Sequence, residues 1–322
     1  MKSFIITIDT EGDNLWEWKR GGAKITTENV KFLPRFQALC DEYGFKPVWL
    51  TNYEMVSDPD YVAFSKKAMK EGRCEIGMHL HAVNNPPIYE LPVAYPSNFP
   101  YLIEYPNDIV EEKIITLKKL LEETYEERIV SHRAGRWAMD DYYTQCLKTV
   151  NIKIDCSVTP GISWYNTAGI TVNSHGSDYS KSPLRPFYID EEKQLLEVPV
   201  SIRQIHYAEK PALSPIPVLR FIKHRVVGYK AWMRPNGNNL KELLCLAEQH
   251  KQDNCDYVMF MLHSSEMMPG GSPTFKTNED IEHLYIDLRI LFDYISTFCE
   301  GRTLKEYADL RRKDDIAYKP LF

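Results

Sequence analysis

His79 and His81 end a short apolar run that starts at Ile76, within the stretch EIGMHLHAVNNPP over residues 75–87. Side chains two apart on a β-strand point to the same face, so a strand over 76–81 brings both imidazoles to one point past its C-terminal end. That pairing suits a divalent cation, whose nitrogen ligands sit at about 2 Å, with a carboxylate added from elsewhere in the chain. Candidate carboxylates stand at the end of another apolar run, FIITI over 4–8, where Asp9, Glu11 and Asp13 fall within five residues. Buried together, they would repel and raise one another's pKa. A metal relieves that repulsion, and so does a solvated turn. Arg133 in HRAGRW, Asp155 in DCS and His263 in LHSSE likewise follow short apolar runs.

The elements that must position these residues are legible from periodicity. Strands are predicted over 4–8, 47–50, 74–81, 128–131, 152–154, 195–200 and 257–262. Helices are predicted over about 27–43, where Pro34 forces a kink or a later start, and over 58–70, with Asp58 as cap and Pro59 in the first turn. Further helices are expected over 108–123, 140–150, 240–250 and 278–298, with a short one from Leu304. Strands alternating with helices predict an α/β fold with about seven parallel strands in a (β/α) barrel. The C-terminal strand ends of such a barrel share the face that carries active sites. Asp9, Glu11, His79, His81, Arg133, Asp155 and His263 would then gather from five strands.

Regularity lapses between about 159 and 238, so one domain over 1–322 is expected, with an irregular insertion there. Within it, 218–234 reads as helix-like and mixes apolar Val218, Phe221, Ile222 and Trp232 with basic Arg220, Lys223, Arg225 and Arg234. That composition suits a helix lying on an anionic membrane, a dimer contact or a lid over the barrel.

Composition bounds the rest. The 322 residues are 43 % hydrophobic and 12 % aromatic, ample for a core, with a net charge of −6 that argues against nucleic acid as a partner. Seven cysteines without paired spacing read as reduced thiols, and the start of the chain has no leader-like segment, so a cytoplasmic protein is expected.

In motif order, most of the chain resembles the polysaccharide deacetylase superfamily, carbohydrate esterase family four, also called the NodB-like homology domain, with its deformed (β/α) barrel. That family's first motif, an apolar strand ending Thr-Phe-Asp-Asp-Gly, is matched by Thr7-Ile8-Asp9-Thr10-Glu11-Gly12. Its metal-binding histidines are matched by His79 and His81, its arginine motif by Arg133, its fourth motif by Asp155-Cys156-Ser157, and its final Leu-His by Leu262-His263. The resemblance implies Asp9 as catalytic base, Glu11, His79 and His81 as ligands of zinc or a similar ion (cobalt, manganese or nickel), Arg133 as orienter of the base and His263 as general acid. Two departures stand out: Thr10 separates the two acids, and the histidines are two apart instead of four. Asp13 is a reserve candidate for the acidic ligand.

Hydrolysis of an N-acetyl group needs an activated water, a polarised carbonyl and a proton for the leaving amine, and this set can supply all three. Trp137 and Trp164 are expected to stack on sugar rings, with Asp155 and Ser264 as further substrate contacts. The expected function is removal of an N-acetyl or O-acetyl group from a saccharide, a surface-glycan precursor, by a cytoplasmic enzyme that is a monomer or a homo-oligomer. Two alternatives stay open: hydrolysis of a non-sugar C–N bond in a ureide or cyclic amide, and a non-catalytic carbohydrate-binding barrel.

Overall fold

The computed structural model describes residues 1–17, 24–206 and 228–322. Strand β1 (Lys2–Thr10) is flanked by β2 (Pro47–Thr51) and by β10 (Tyr257–His263), and the path continues through β3 (Glu75–Leu80), β4 (Ser131–Ala134), β5 (Ile154–Asp155) and β7 (Leu196–Glu197). All of these neighbours pair in parallel, which makes seven parallel strands. The short β11 (Cys299–Gly301) adds in parallel to the start of β1, and β6 (Phe187–Tyr188) pairs antiparallel with β7 at the far edge. The fold is α/β with a curled sheet, a deformed barrel of the expected strand number.

Backbone pairing runs from β10 to β6 and does not close the ring among the described residues. The gap is bridged instead by residues that follow β7. Tyr257 Oη donates to Pro199 O at 2.7 Å, and Met259 N–H donates to Ser201 Oγ at 2.9 Å. A hairpin of β8 (Ile202–Ile205) and β9 (Tyr229–Trp232) follows this crossing.

Strand β1 shows how sequence becomes architecture. Residues 3–10 are all buried, because one face meets the helices and the other the barrel interior. Phe4, Ile6 and Ile8 pack outward with Leu33, Phe36 and Leu39 of the helix Leu33–Glu42. Ile5 points inward with Val48, Leu50, Met259 and Met261. Burial of each large apolar side chain contributes about 1.5–3 kcal/mol. The inward parity continues through Thr7 to Asp9, so a period of two delivers a carboxylate to the barrel mouth.

Several sequence expectations shift. The helix expected over 27–43 starts later, at Leu33 after a 3-10 turn over Glu28–Phe32, because Pro34 lacks an N–H and is accommodated in a first turn. Asp58 caps the helix Pro59–Lys70 by accepting from the Asp60 and Tyr61 N–H groups at 2.9 and 3.0 Å, with Pro59 in its first turn. Strand β4 lies three residues further on than expected, over the polar Ser131–Ala134, because His132 and Arg133 are buried with partners instead of solvated. The helix-like reading of 218–234 is corrected at 229–232, which form β9. Residues 218–227 lie outside the described residues. No helix among the described residues is long and apolar enough to cross a membrane.

Candidate active site

At the mouth formed by the C-terminal strand ends, a cleft of ≈ 380 Å³ is lined by Asp9, Glu11, His79, His81, Trp137, Trp164 and His263, among others. Asp9 is held from below. Arg133, with none of its surface exposed, donates Nη1–H to Asp9 Oδ1 at 2.6 Å, Nη2–H to Thr7 Oγ1 at 2.9 Å and Nε–H to Cys156 O at 3.0 Å. Burial by itself would raise the Asp9 pKa, but the Arg133 guanidinium together with His79 and His263 outweighs it and the carboxyl stays below its usual range.

Glu11 continues the inward parity of β1. Its Oε2 lies 2.9 Å from His81 Nε2 and 3.4 Å from His79 Nε2, and the ligand atoms of all three residues fall within 4.8 Å of one another. His79 Nδ1 bonds Arg133 O at 2.9 Å, which makes Nδ1 the protonated nitrogen and turns the lone pair of Nε2 toward Glu11. The carbonyl of Glu11 is pinned by Asn29 Nδ2 at 2.8 Å and Ser264 Oγ at 2.9 Å. Burial works against ionisation of Glu11, yet the two histidines beside its carboxylate bring its pKa well below normal.

These residues fit a divalent cation on one observation above all. Glu11 Oε2 and His79 Nε2 are buried and have no hydrogen-bond partner of normal geometry among the described residues. Buried polar atoms rarely go unpaired without a reason. Two imidazoles and one carboxylate match the donor set of a catalytic zinc-type site that keeps a position open. Asp13, the reserve candidate, lies elsewhere: it is half-buried, accepts from Thr26 Oγ1 at 2.9 Å and Glu28 N–H at 2.8 Å, and so steadies the turn that follows.

His263 closes the far side, with Nε2 3.8 Å from Asp9 Oδ2 and 4.0 Å from Glu11 Oε1. Its Nδ1 donates to Glu266 Oε2 at 3.0 Å, and Arg234 Nη2 donates to the other oxygen, Oε1, at 3.0 Å. Burial pushes the Glu266 carboxyl up, but Arg234 and His263 pull it down further, so it is ionised and accepts from the ring. The arrangement leaves Nε2 of His263 aimed into the cleft. Glu266→Gln is expected to cut turnover about 10- to 100-fold, as removal of a partner that orients a catalytic group does. Unchanged turnover would show that Glu266 only packs.

Trp137 and Trp164 line the cleft, their rings edge-on to Trp232 at 5.8 and 6.3 Å. Arg136 and Trp137 have φ of 55° and 63°, a left-handed conformation that costs about 1–2 kcal/mol per residue. The strain is offset by Arg136 Nη1 donating to Phe99 O, by its guanidinium lying 3.7 Å from the Tyr101 ring centre, and by Tyr179 Oη donating to Trp137 O at 2.6 Å. Consecutive strained residues held this firmly keep the tryptophan over the cleft.

Two expected substrate contacts are placed differently. Asp155 is fully buried and pairs in register with His132, on the outward parity of the sheet. It accepts from His132 Nδ1 at 2.6 Å and Ser157 Oγ at 2.8 Å, while His132 Nε2 meets Tyr143 Oη of the helix Asp141–Thr149 at 2.9 Å. The one-residue parity difference from Arg133 turns Asp155 away from the cleft, so it is corrected from substrate contact to part of the sheet–helix contact. Ser264 is also fully buried. Its Oγ accepts from Glu11 N–H and Asn29 Nδ2, which makes it a brace for Glu11.

Residues that sequence reasoning did not single out for the cleft include Trp16, Phe99, Tyr101, Arg136 and Arg234. Trp16 folds back to donate Nε1–H to Ser265 Oγ at 2.9 Å, with its ring edge-on to His263 at 4.9 Å. Glu266 had one legible signal, the three-residue spacing from His263 typical of a capping box, which the structure contains.

No protein-family model matches the chain, and no curated protein does. Solved structures do. A Mycobacterium smegmatis protein provisionally described as a polysaccharide deacetylase aligns over 100 % of this chain and 94 % of its own, with 13 % identity and a TM-score of 0.57. A glycoside hydrolase family 57 branching enzyme from Thermococcus kodakaraensis aligns over 99 % of this chain and 73 % of its own, with 10 % identity and a TM-score of 0.57. A 4-alpha-glucanotransferase from Thermococcus litoralis aligns over 99 % of this chain, which spans 42 % of that enzyme's length, with 15 % identity and a TM-score of 0.52. The class this defines is the deformed barrel shared by a protein described as a deacetylase, a branching enzyme and a 4-alpha-glucanotransferase. Function is therefore argued from the site and not from the fold.

Proposed function

We propose that the protein is a metal-dependent hydrolase that removes an N-acetyl or O-acetyl group from a saccharide. The observation that carries this reading is the pair of buried, unpartnered donor atoms, Glu11 Oε2 and His79 Nε2, beside an Arg133-locked Asp9 and across from His263. A divalent ion held by Glu11, His79 and His81 would supply Lewis acidity for an acyl carbonyl and ease deprotonation of a water. Zinc suits the donor set, with cobalt, manganese or nickel as substitutes.

The remaining work falls to side chains. Asp9, ionised and fixed by Arg133, accepts the proton of the attacking water at Oδ2, the oxygen that faces His263. His263 Nε2 then gives a proton to the departing amine or alcohol while Glu266 holds the ring in place. Trp137 and Trp164 offer apolar faces for a pyranose ring.

The same geometry disfavours glycosidic-bond cleavage, although a branching enzyme and a 4-alpha-glucanotransferase share the fold. Two-carboxyl glycosidases need one acid whose pKa is raised so that it stays protonated. Among the residues that line the cleft, the two carboxyls, Asp9 and Glu11, are both lowered. The seven unpaired thiols support a reducing, cytoplasmic setting and hence a glycan precursor as substrate.

The test is acetate release from a panel of N-acetylated and O-acetylated sugars, set beside hydrolysis of ureides and ring opening of cyclic amides followed as loss of the substrate. Acetate is expected, abolished by chelation and restored by added Zn²⁺. Hydrolysis of a ureide or cyclic amide without acetate release would replace the saccharide substrate with that C–N compound, and binding of sugars without turnover in the metal-loaded protein would make it a lectin-like barrel.

A further inference from the structure

At the end of β10 away from the cleft, three residues of unlike chemistry converge. His250 lies in the last turn of the helix Leu240–Gln252, Asp253 follows that helix, and Cys255 stands two residues before β10 begins at Tyr257. A ring nitrogen, a carboxylate oxygen and a sulfur from these residues lie within 4.8 Å of one another. His250 is fully buried, and neither ring nitrogen has a hydrogen-bond partner of normal geometry among the described residues, although the Tyr257 backbone lies beside the ring. A leucine would fill that position in a helix without loss. An imidazole with both nitrogens unmet, by contrast, is a costly occupant. Cys255 is buried too, its Sγ making a weak contact with Tyr257 O at 3.5 Å. Asp253 is more open and accepts from the Cys255 N–H at 2.7 Å, which fixes the carboxylate against the thiol's own backbone.

The geometry points to a second metal site, formed by His250, Asp253 and Cys255, that takes Zn²⁺. A thiolate, an imidazole and a carboxylate are the mixed donors that this borderline-soft ion accepts, and the exposed side of Asp253 leaves room for water as fourth ligand. On binding, Cys255 releases its proton to solvent, and the thiolate and carboxylate balance the two charges of the ion. The site then carries one more positive charge than its metal-free form. Lys2 lies 3.5 Å and Arg203 3.6 Å from Asp253, so these cations temper the affinity. Lys2 Nζ is already committed to His250 O and Asp253 O, which ties the start of β1 to the same turn. The ion would fasten the end of the helix Leu240–Gln252 to the turn that leads into β10. The site is separated from the cleft by the seven residues of β10, about 20 Å at roughly 3.3 Å per residue.

The test is titration of the metal-stripped full chain with Co²⁺ alone, read by absorption. Among the described residues that line the cleft there is no cysteine, so a sulfur-to-cobalt charge-transfer band in the near ultraviolet reports this site and not the catalytic one. The band is expected in the wild-type protein and in His79→Ala, to be displaced by Zn²⁺, and to be lost in Cys255→Ser and in His250→Ala. Arg203→Gln is expected to tighten Co²⁺ binding several-fold. A wild-type protein without the band, or a band that survives Cys255→Ser, overturns the assignment. The wild-type reading decides even if a variant fails to fold, and neither outcome bears on acetate release.

Discussion

Asp9→Asn is expected to lower acetate release by about 10²–10⁴-fold, the usual contribution of a positioned general base. The same substitution is expected to destabilise the protein by about 3–5 kcal/mol, because it leaves the guanidinium of Arg133 buried without its counter-charge. Arg133 is wholly inaccessible, and Asp9 is the carboxylate to which it donates at 2.6 Å. The two losses separate in a double variant. Asp9→Asn with Arg133→Met removes both charges and is expected to recover much of the stability in urea unfolding, yet none of the activity. Recovery of activity along with stability would mean that Asp9 serves the fold and not the reaction.

The second large effect is expected at the metal ligands. His79→Ala removes a donor whose other ring nitrogen is anchored to Arg133 O at 2.9 Å. Metal content measured on the purified protein is expected to fall by one equivalent, and turnover by about 10³-fold or more, the scale of a Lewis-acid contribution of several kcal/mol at 1.36 kcal/mol per decade. A variant that keeps both its metal and its rate would remove Glu11, His79 and His81 from the mechanism. Loss of metal with an unchanged rate would make the ion structural. Glu11→Gln tests the same set from the other strand, with the advantage that the shape of the side chain is kept.

The positions of the chemistry-bearing residues followed from the chain itself to the extent that local rules govern them. A period of two made His79 and His81 co-facial, and it carried Ile5, Thr7 and Asp9 down one inward column of β1. Alternation of buried strands with capped helices required a parallel sheet, whose strand ends must share a face. Asp58 and Pro59 marked a helix start because capping is a matter of three adjacent residues.

What local rules do not reach was decided by packing. Whether Asp155 faces the cleft depends on its register with His132 across two strands, and a one-residue difference sends it outward to His132, which in turn meets Tyr143. Asp13 is taken up by a turn, where it accepts from Thr26 and Glu28, partners 13 and 15 residues away, and this leaves Glu11 as the carboxylate beside the two histidines. Strand β4 could not be located from hydrophobicity, since its inward residue is a fully buried arginine held by four acceptors on three other strands or their extensions. Trp16 and Arg234 reach His263 and Glu266 only through long-range folding, for which a one-dimensional pattern carries no signal. The sequence by itself determined which residues could do chemistry and that they lie at strand ends. The tertiary structure alone decided which of them meet, because burial, register and charge pairing are properties of neighbours that the chain brings together only on folding.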